Sequence, residues 1–158
     1  MRAAVAAVGG TFDRLHDGHK ALILEAFRLG DKVIIGLTSD AYVKKAGKVG
    51  VASYQARRKR LMDFLVSSGL SDRAAVVKIA DRFGPTVDDP AIACIVVTEE
   101  TREAAVQANR LRAKKGLVPM KIHTIGMLVA KDSLPISSSR IRKGEVDEHG
   151  NRLSLASG

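Results

Sequence analysis

Five short apolar runs, at 3–8, 32–38, 74–80, 92–98 and 122–129, constrain the fold of this 158-residue chain more than any other feature. They are rich in Val and Ile and lack the polar–apolar alternation of a strand with one wet face, so they read as strands buried on both faces. The segments between them carry helical spacing. In "GHKALILEAFRLG", Leu22, Ile23, Ala26 and Phe27 form one stripe and Gly30 follows as a stop; in "SYQARRKRLMDFLVSSG", Leu61, Phe64 and Leu65 do the same before Gly69. "TREAAVQANRLRAKKG" is a third such segment. Strands alternating with helices require right-handed crossovers, which predicts an α/β fold: a single Rossmann-like domain with a parallel sheet of about five strands and helices on both faces. Ligands of such sheets bind at the carboxyl ends of the strands.

The domain is expected to span 1–145, with a polar tail at 146–158 in which turn residues dominate. Apolar residues at 46% and charged residues at 27% suffice for one core without disulfides, and none can form within the chain, because Cys94 is the single cysteine. Its setting, "AIACIVV", is that of a thiol in a buried strand, and a reducing, cytoplasmic setting is expected. "MRAAVAAVGG" reads as a strand rather than a leader, and no apolar run approaches the roughly 18 residues of a membrane span. A net charge of +9 favours anionic partners, either phosphorylated metabolites or nucleic acid. Aromatic residues at 4% and the absence of Trp leave few platforms for base stacking, so nucleic acid is not the expected partner.

Behind the first strand stands "VGGTFDRLHDGH". Gly9 and Gly10 allow close backbone approach, and a helix is expected to start near Asp17 or Gly18. Free N–H groups and the positive end of the helix dipole favour an anion there. His16 and His19, three apart, fall on one side of the first turn, and Thr11 adds a hydroxyl. On these residues alone, a phosphate cradle, a metal pair helped by Asp13 or Asp17, and a purely structural turn all remain open. Adjacent glycines are not the dinucleotide G-x-G-x-x-G pattern, and no Gly-Lys-Ser/Thr follows for a P-loop.

A second cradle stands near the other end in "SLPISSSRIRKG". Ser137 is a plausible N-cap, with Ser138 and Ser139 on the first turn, and Arg140, Arg142 and Lys143 suit phosphate oxygens. Read alone, it is more readily a phosphorylation site or a solvated helix end than a phosphate cradle.

"GTFDRLHDGH" resembles the T/HxGH signature of the nucleotidylyltransferase superfamily, and "ISSSRIR" resembles its ISSTxxR signature, with Ser139 where Thr is usual. Within that superfamily the chain is similar to the phosphopantetheine adenylyltransferases of archaeal and eukaryotic type, over nearly its whole length. "GLTSDAYVKK", "YQARRKRLMDFL", "DRFGPT" and "VVTEET" extend the likeness, while Gln55 stands where an acidic residue is common and Arg102 where a small or apolar one is. The resemblance implies transfer of the adenylyl group of ATP to phosphopantetheine, giving dephospho-coenzyme A and pyrophosphate, with Mg2+ bound alongside ATP. Other members join CTP to glycerol phosphate or ATP to FMN.

By the same resemblance His19, Thr11 and Lys44 would be catalytic, with Lys45 second to Lys44. ATP would be held by Gly10, Thr11, His16, Gly18, His19, Thr98, Ser137, Ser138, Ser139 and Arg142, and the acceptor by Thr11, Lys44 and Arg57. Glu99 and Glu100 stand lower as metal helpers, and no protein metal ligand is assigned. Most of "QARRKR" is expected to face solvent.

Overall fold

A computed structural model of the chain describes residues 2–126, so the serine-rich stretch at 136–142 and the tail at 146–158 lie outside the described residues. The elements run β1 (Ala3–Gly10), α1 (Asp17–Leu29), β2 (Gly30–Thr38), α2 (Asp40–Lys45), α3 (Tyr54–Ser67), β3 (Ala74–Ile79), β4 (Ile92–Val97), α4 (Arg102–Lys114) and β5 (Lys121–Thr124). All pairings are parallel and the strand order is β3-β2-β1-β4-β5. The chain first winds one way from β1 and then returns to place β4 on its other side. The crevice of such a sheet opens between β1 and β4, at their carboxyl ends.

The expected α/β layering is observed. On one face Ala6, Val8, Val33, Ile35 and Leu37 pack against Leu22, Ile23, Ala26 and Phe27 of α1 and Leu61 and Leu65 of α3. Phe64 is half-buried at the border of this core. On the other face Ala7 and Ile92 meet Ala108 of α4 and Met120. Successive side chains of β1 thus point into opposite cores, which is why the run shows no polar alternation. Cys94 is buried in β4, and burial pushes its thiol pKa upward. No helix among the described residues is long and apolar enough to cross a membrane.

Two local details differ from the sequence-based expectation. Gly30 does end α1, but in extended conformation (φ −123°, ψ 144°), and it is already the first residue of β2. A glycine is needed there for space rather than for a left-handed cap: a Cβ at Gly30 would lie 2.6 Å from Ala6 Cβ and 2.8 Å from the Ala6 nitrogen. The last strand is Lys121–Thr124, shorter than the apolar run at 122–129, whose residues beyond 126 lie outside the described part. The six-residue α2 is capped by Ser39, whose hydroxyl accepts from the Tyr42 N–H.

Because the contact at Gly30 is with backbone, neighbouring side chains cannot relieve it by turning aside. Gly30→Ala is therefore expected to cost about 1–3 kcal/mol, read as a lower urea midpoint with an unchanged m-value.

Candidate active site

The turn between β1 and α1 is held under strain. Phe12 and Arg14 adopt left-handed φ angles of 49° and 48°, a region that non-glycine residues enter at a cost of order 1–3 kcal/mol each. The surroundings offset it. Phe12 is buried with its ring edge-on to the His19 imidazole, at a centroid distance of 5.3 Å, while the buried Asp13 carboxylate accepts the Ala52 N–H at 3.1 Å. Arg14 donates to the Gly50 carbonyl.

The two histidines cap α1 reciprocally. The His19 N–H donates to Nδ1 of His16 and the His16 N–H donates to Nδ1 of His19, both at 3.3 Å, and the rings stack with centroids 3.6 Å apart. This is a capping box made with imidazoles in place of a hydroxyl and a carboxylate. A nitrogen that accepts an N–H carries no proton, so this pattern assigns each neutral ring its proton at Nε2. Gly18 completes the arrangement: a Cβ there would fall 2.9 Å from His16 Cε1, so the ring can lie over the turn only if residue 18 has no side chain. Burial is the main cause that lowers both pKa values. His16 falls from 6.5 to about 4, with Asp17 opposing and Lys20 adding, and His19 falls to about 3, with His16 and Lys48 adding.

Beside the histidines lies a polar cluster. The Thr11 hydroxyl accepts from Thr38 Oγ1 at 3.0 Å and from Lys48 Nζ at 3.3 Å. Arg57, only 1% exposed, donates to the Thr11 and Ala52 carbonyls, to Thr38 Oγ1 and to the Asp40 carboxylate. Thr11, Thr38 and Lys48 edge a cavity of about 630 Å³ that runs from Gly10, Thr11 and His19 across the ends of β1 and β4 to Thr98 and the small side chains of Ala104 and Ala108 on α4. A crevice of this size holds a nucleotide-sized ligand, with N–H donors and a cation at one end and apolar wall at the other.

The sequence matches the cytidylyltransferase-like family over residues 7–144. It is 45% identical over 141 residues to the phosphopantetheine adenylyltransferase of Methanopyrus kandleri, covering 89% of each chain. It is 41% identical over 155 residues to that of Methanothermobacter thermautotrophicus, covering 98% of this chain and 93% of the relative. The chain belongs to the cytidylyltransferase-like family, among the phosphopantetheine adenylyltransferases. A solved structure of a protein of unknown function from Archaeoglobus fulgidus superposes with a TM-score of 0.68 at 33% identity, covering 79% of this chain and 89% of that one.

Of the site residues expected in this adenylyltransferase chain, Gly10, Thr11, His16, Gly18, His19 and Thr98 line one cavity. Lys44 and Lys45 are exposed on α2 and do not line it; Lys48 does, and its ammonium reaches Thr11. Arg57 is buried beneath the Thr11 turn with its guanidinium committed to protein groups, whereas Arg58, Lys59 and Arg60 on the same helix are exposed as expected. Glu99 and Glu100 are exposed, and Glu100 lies at the cavity edge. No group of three or more potential metal-binding side chains is found among the described residues. Ser137, Ser138, Ser139, Arg140, Arg142 and Lys143 lie outside the described residues. Lys48 and Thr38 were not singled out from sequence; the glycine-flanked lysine in "KAGKVG" is the one signal that points to the first, and nothing local points to the second.

The lowered histidine pKa values carry a stability consequence with a definite sign. Below pH 6.5 the unfolded chain takes up protons that the folded state refuses, so the contribution is complete above 6.5 and is lost as pH falls through about 4 for His16 and about 3 for His19. Ligand-free protein is expected to lose stability steadily from pH 6.5 to 4. His16→Asn, which keeps an N-cap acceptor, should flatten part of that slope in denaturant melts at stepped pH.

Proposed function

We propose that the chain transfers the adenylyl group of ATP to phosphopantetheine, releasing pyrophosphate and forming dephospho-coenzyme A. The observation that carries the reading is the pair of neutral imidazoles capping α1 beside Thr11 and Lys48, in a chain 45% identical to a phosphopantetheine adenylyltransferase over 89% of both lengths. One oxygen of the phosphopantetheine phosphate bonds to the α-phosphorus of ATP as the bond from that phosphorus to the pyrophosphate oxygen breaks. The nucleophile is already an anion, so no strong base is required. Placement and stabilisation of charge supply most of the rate.

In this reading the His16 and His19 Nε2–H groups donate to ATP phosphate oxygens, with His19 serving the α-phosphoryl group as its charge grows. Gly10 and Gly18 keep the cradle open to the phosphates, and Thr98 serves the nucleoside end. Thr11 orients the attacking phosphate, and Lys48 supplies the cation beside it, a role the resemblance suggests for Lys44. Ser137, Ser138, Ser139 and Arg142 are proposed as the second set of phosphate contacts. Mg2+ is proposed to accompany ATP, where it would neutralise phosphate charge, and no protein ligand is assigned to it. Arg57 acts beneath the site rather than on the acceptor itself.

Incubation with ATP, Mg2+ and phosphopantetheine should yield dephospho-coenzyme A and pyrophosphate in equal amounts. Product with CTP and glycerol phosphate, or with FMN, in its place would overturn the assignment of the acceptor. His19→Ala is expected to lower kcat by about 10²–10³ while the protein melts as a folded domain; turnover near the parent level removes His19 from its role. Lys48→Ala should cost more in kcat/KM for phosphopantetheine than Lys44→Ala, and the reverse order would return the role to Lys44.

A further inference from the structure

The Thr11 hydroxyl has one proton and two lone pairs. Both lone pairs are claimed from within the protein. Thr38 Oγ1 donates at 3.0 Å and Lys48 Nζ, which can only donate, approaches to 3.3 Å. Thr38 is itself held in direction. It sits at the carboxyl end of β2, almost fully buried, and its oxygen receives an N–H from Arg57 Nη1 at 3.3 Å, a group that likewise can only donate. The same Arg57 nitrogen donates to the Thr11 carbonyl at 3.0 Å, so the backbone and the side chain of Thr11 are fixed from one anchor. In the structure donation runs from Arg57 to Thr38 and from Thr38 to Thr11.

We infer that Thr38 is a positioning residue for the reaction: with Arg57 behind it, it fills a lone pair of Thr11 and compels the Thr11 hydroxyl to present its proton outward, as a donor to the anionic acceptor. Thr38 lines the cavity wall behind Thr11 and is not itself assigned a contact with substrate. A threonine whose hydroxyl were free to rotate would spend part of its time presenting a lone pair to an incoming phosphate, which repels it. With Thr38 and Lys48 in place that orientation is closed before substrate arrives, and no reorganisation is left for the reaction step. The inference rests on the functional reading above, in which Thr11 faces the acceptor phosphate.

The test is a double-mutant cycle with Thr38→Val and Thr11→Val in the full chain, read with MgATP and phosphopantetheine. Thr38→Val keeps the shape and removes the donor; it should lower kcat/KM for phosphopantetheine about tenfold and leave KM for ATP unchanged. Thr38→Ser restores the donor and should recover most of the loss. In the Thr11→Val background, Thr38→Val should cost nothing further, because the hydroxyl through which it acts is gone. A merely structural role predicts the opposite: equal losses in both backgrounds and a parallel rise in KM for ATP, and either result overturns the inference while wild-type turnover keeps the functional reading intact. Absence of dephospho-coenzyme A from the wild-type protein overturns both. Where Thr38→Val does not fold, Thr38→Ala, which also removes the donor, carries the same cycle.

Discussion

The Arg57 guanidinium, buried beneath the turn after β1, is the interaction on which the mouth of the sheet depends. Its N–H groups reach the Thr11 and Ala52 carbonyls, the Thr38 hydroxyl and the Asp40 carboxylate, and so join the ends of β1 and β2 to the starts of α2 and α3. Asp40 in turn accepts the Tyr54 N–H at 2.7 Å. Burying a cation is costly unless every donor finds a partner, and a planar fork with five donors can satisfy several carbonyls at fixed angles where a lysine cannot. Removing it would leave the half-buried Thr11 and Ala52 carbonyls without this partner, at up to about 1–3 kcal/mol for each. The strained Thr11–Arg14 turn and the loop carrying Lys48 are therefore held in register by the same side chain.

The opposite face of the sheet uses the same device. Arg112, 1% exposed at the end of α4, donates to the carbonyls of Thr86, Asp89, Ile92 and Val118, tying the turn before β4 to the turn before β5. It lies far along the chain from all catalytic candidates and touches only backbone. Two arginines thus do in this small domain what longer connections or a second core layer do in larger ones: they satisfy loop carbonyls that the sheet cannot reach.

The parts of the fold legible in the sequence were those governed by local pattern. The strand runs, the Leu22–Phe27 stripe and the HxGH turn each announce themselves within a dozen residues, because burial on both faces and the helical period leave a direct trace. What was not legible arises from contacts distant in the chain. Arg57 and Arg112 sit in strings of basic residues, and nothing in "QARRKR" or "NRLRAKK" marks which one turns inward; that is decided by carbonyls 5 to 46 positions away. The different placements of Lys44 and Lys48 have the same origin. Both follow β2, but Lys44 falls on the exposed side of α2, and the loop beyond that short helix brings Lys48 back onto Thr11. The resemblance to a family names the kind of residue a site needs; which lysine of a lysine-rich loop reaches Thr11 is set by the fold of that loop.

The electrostatic division of labour in the site follows from the reciprocal cap. With both Nδ1 atoms accepting backbone N–H groups, each imidazole could become a cation only by gaining a proton that breaks its cap bond, and burial opposes the charge as well. Neutral donors would suit an ATP whose β- and γ-phosphates must leave as pyrophosphate: they direct hydrogen bonds at chosen oxygens without adding two fixed charges that would hold the product. In the proposed reading the cation is Lys48, whose flexible stem would let its charge follow the phosphates. Approach of anionic phosphates pushes the imidazole pKa values upward, so nucleotide binding should take up protons in the range between the ligand-free values, about 4 and about 3, and the raised ones. That linkage ties the same two rings to the acid stability of the empty protein and to the strength with which it grips its nucleotide.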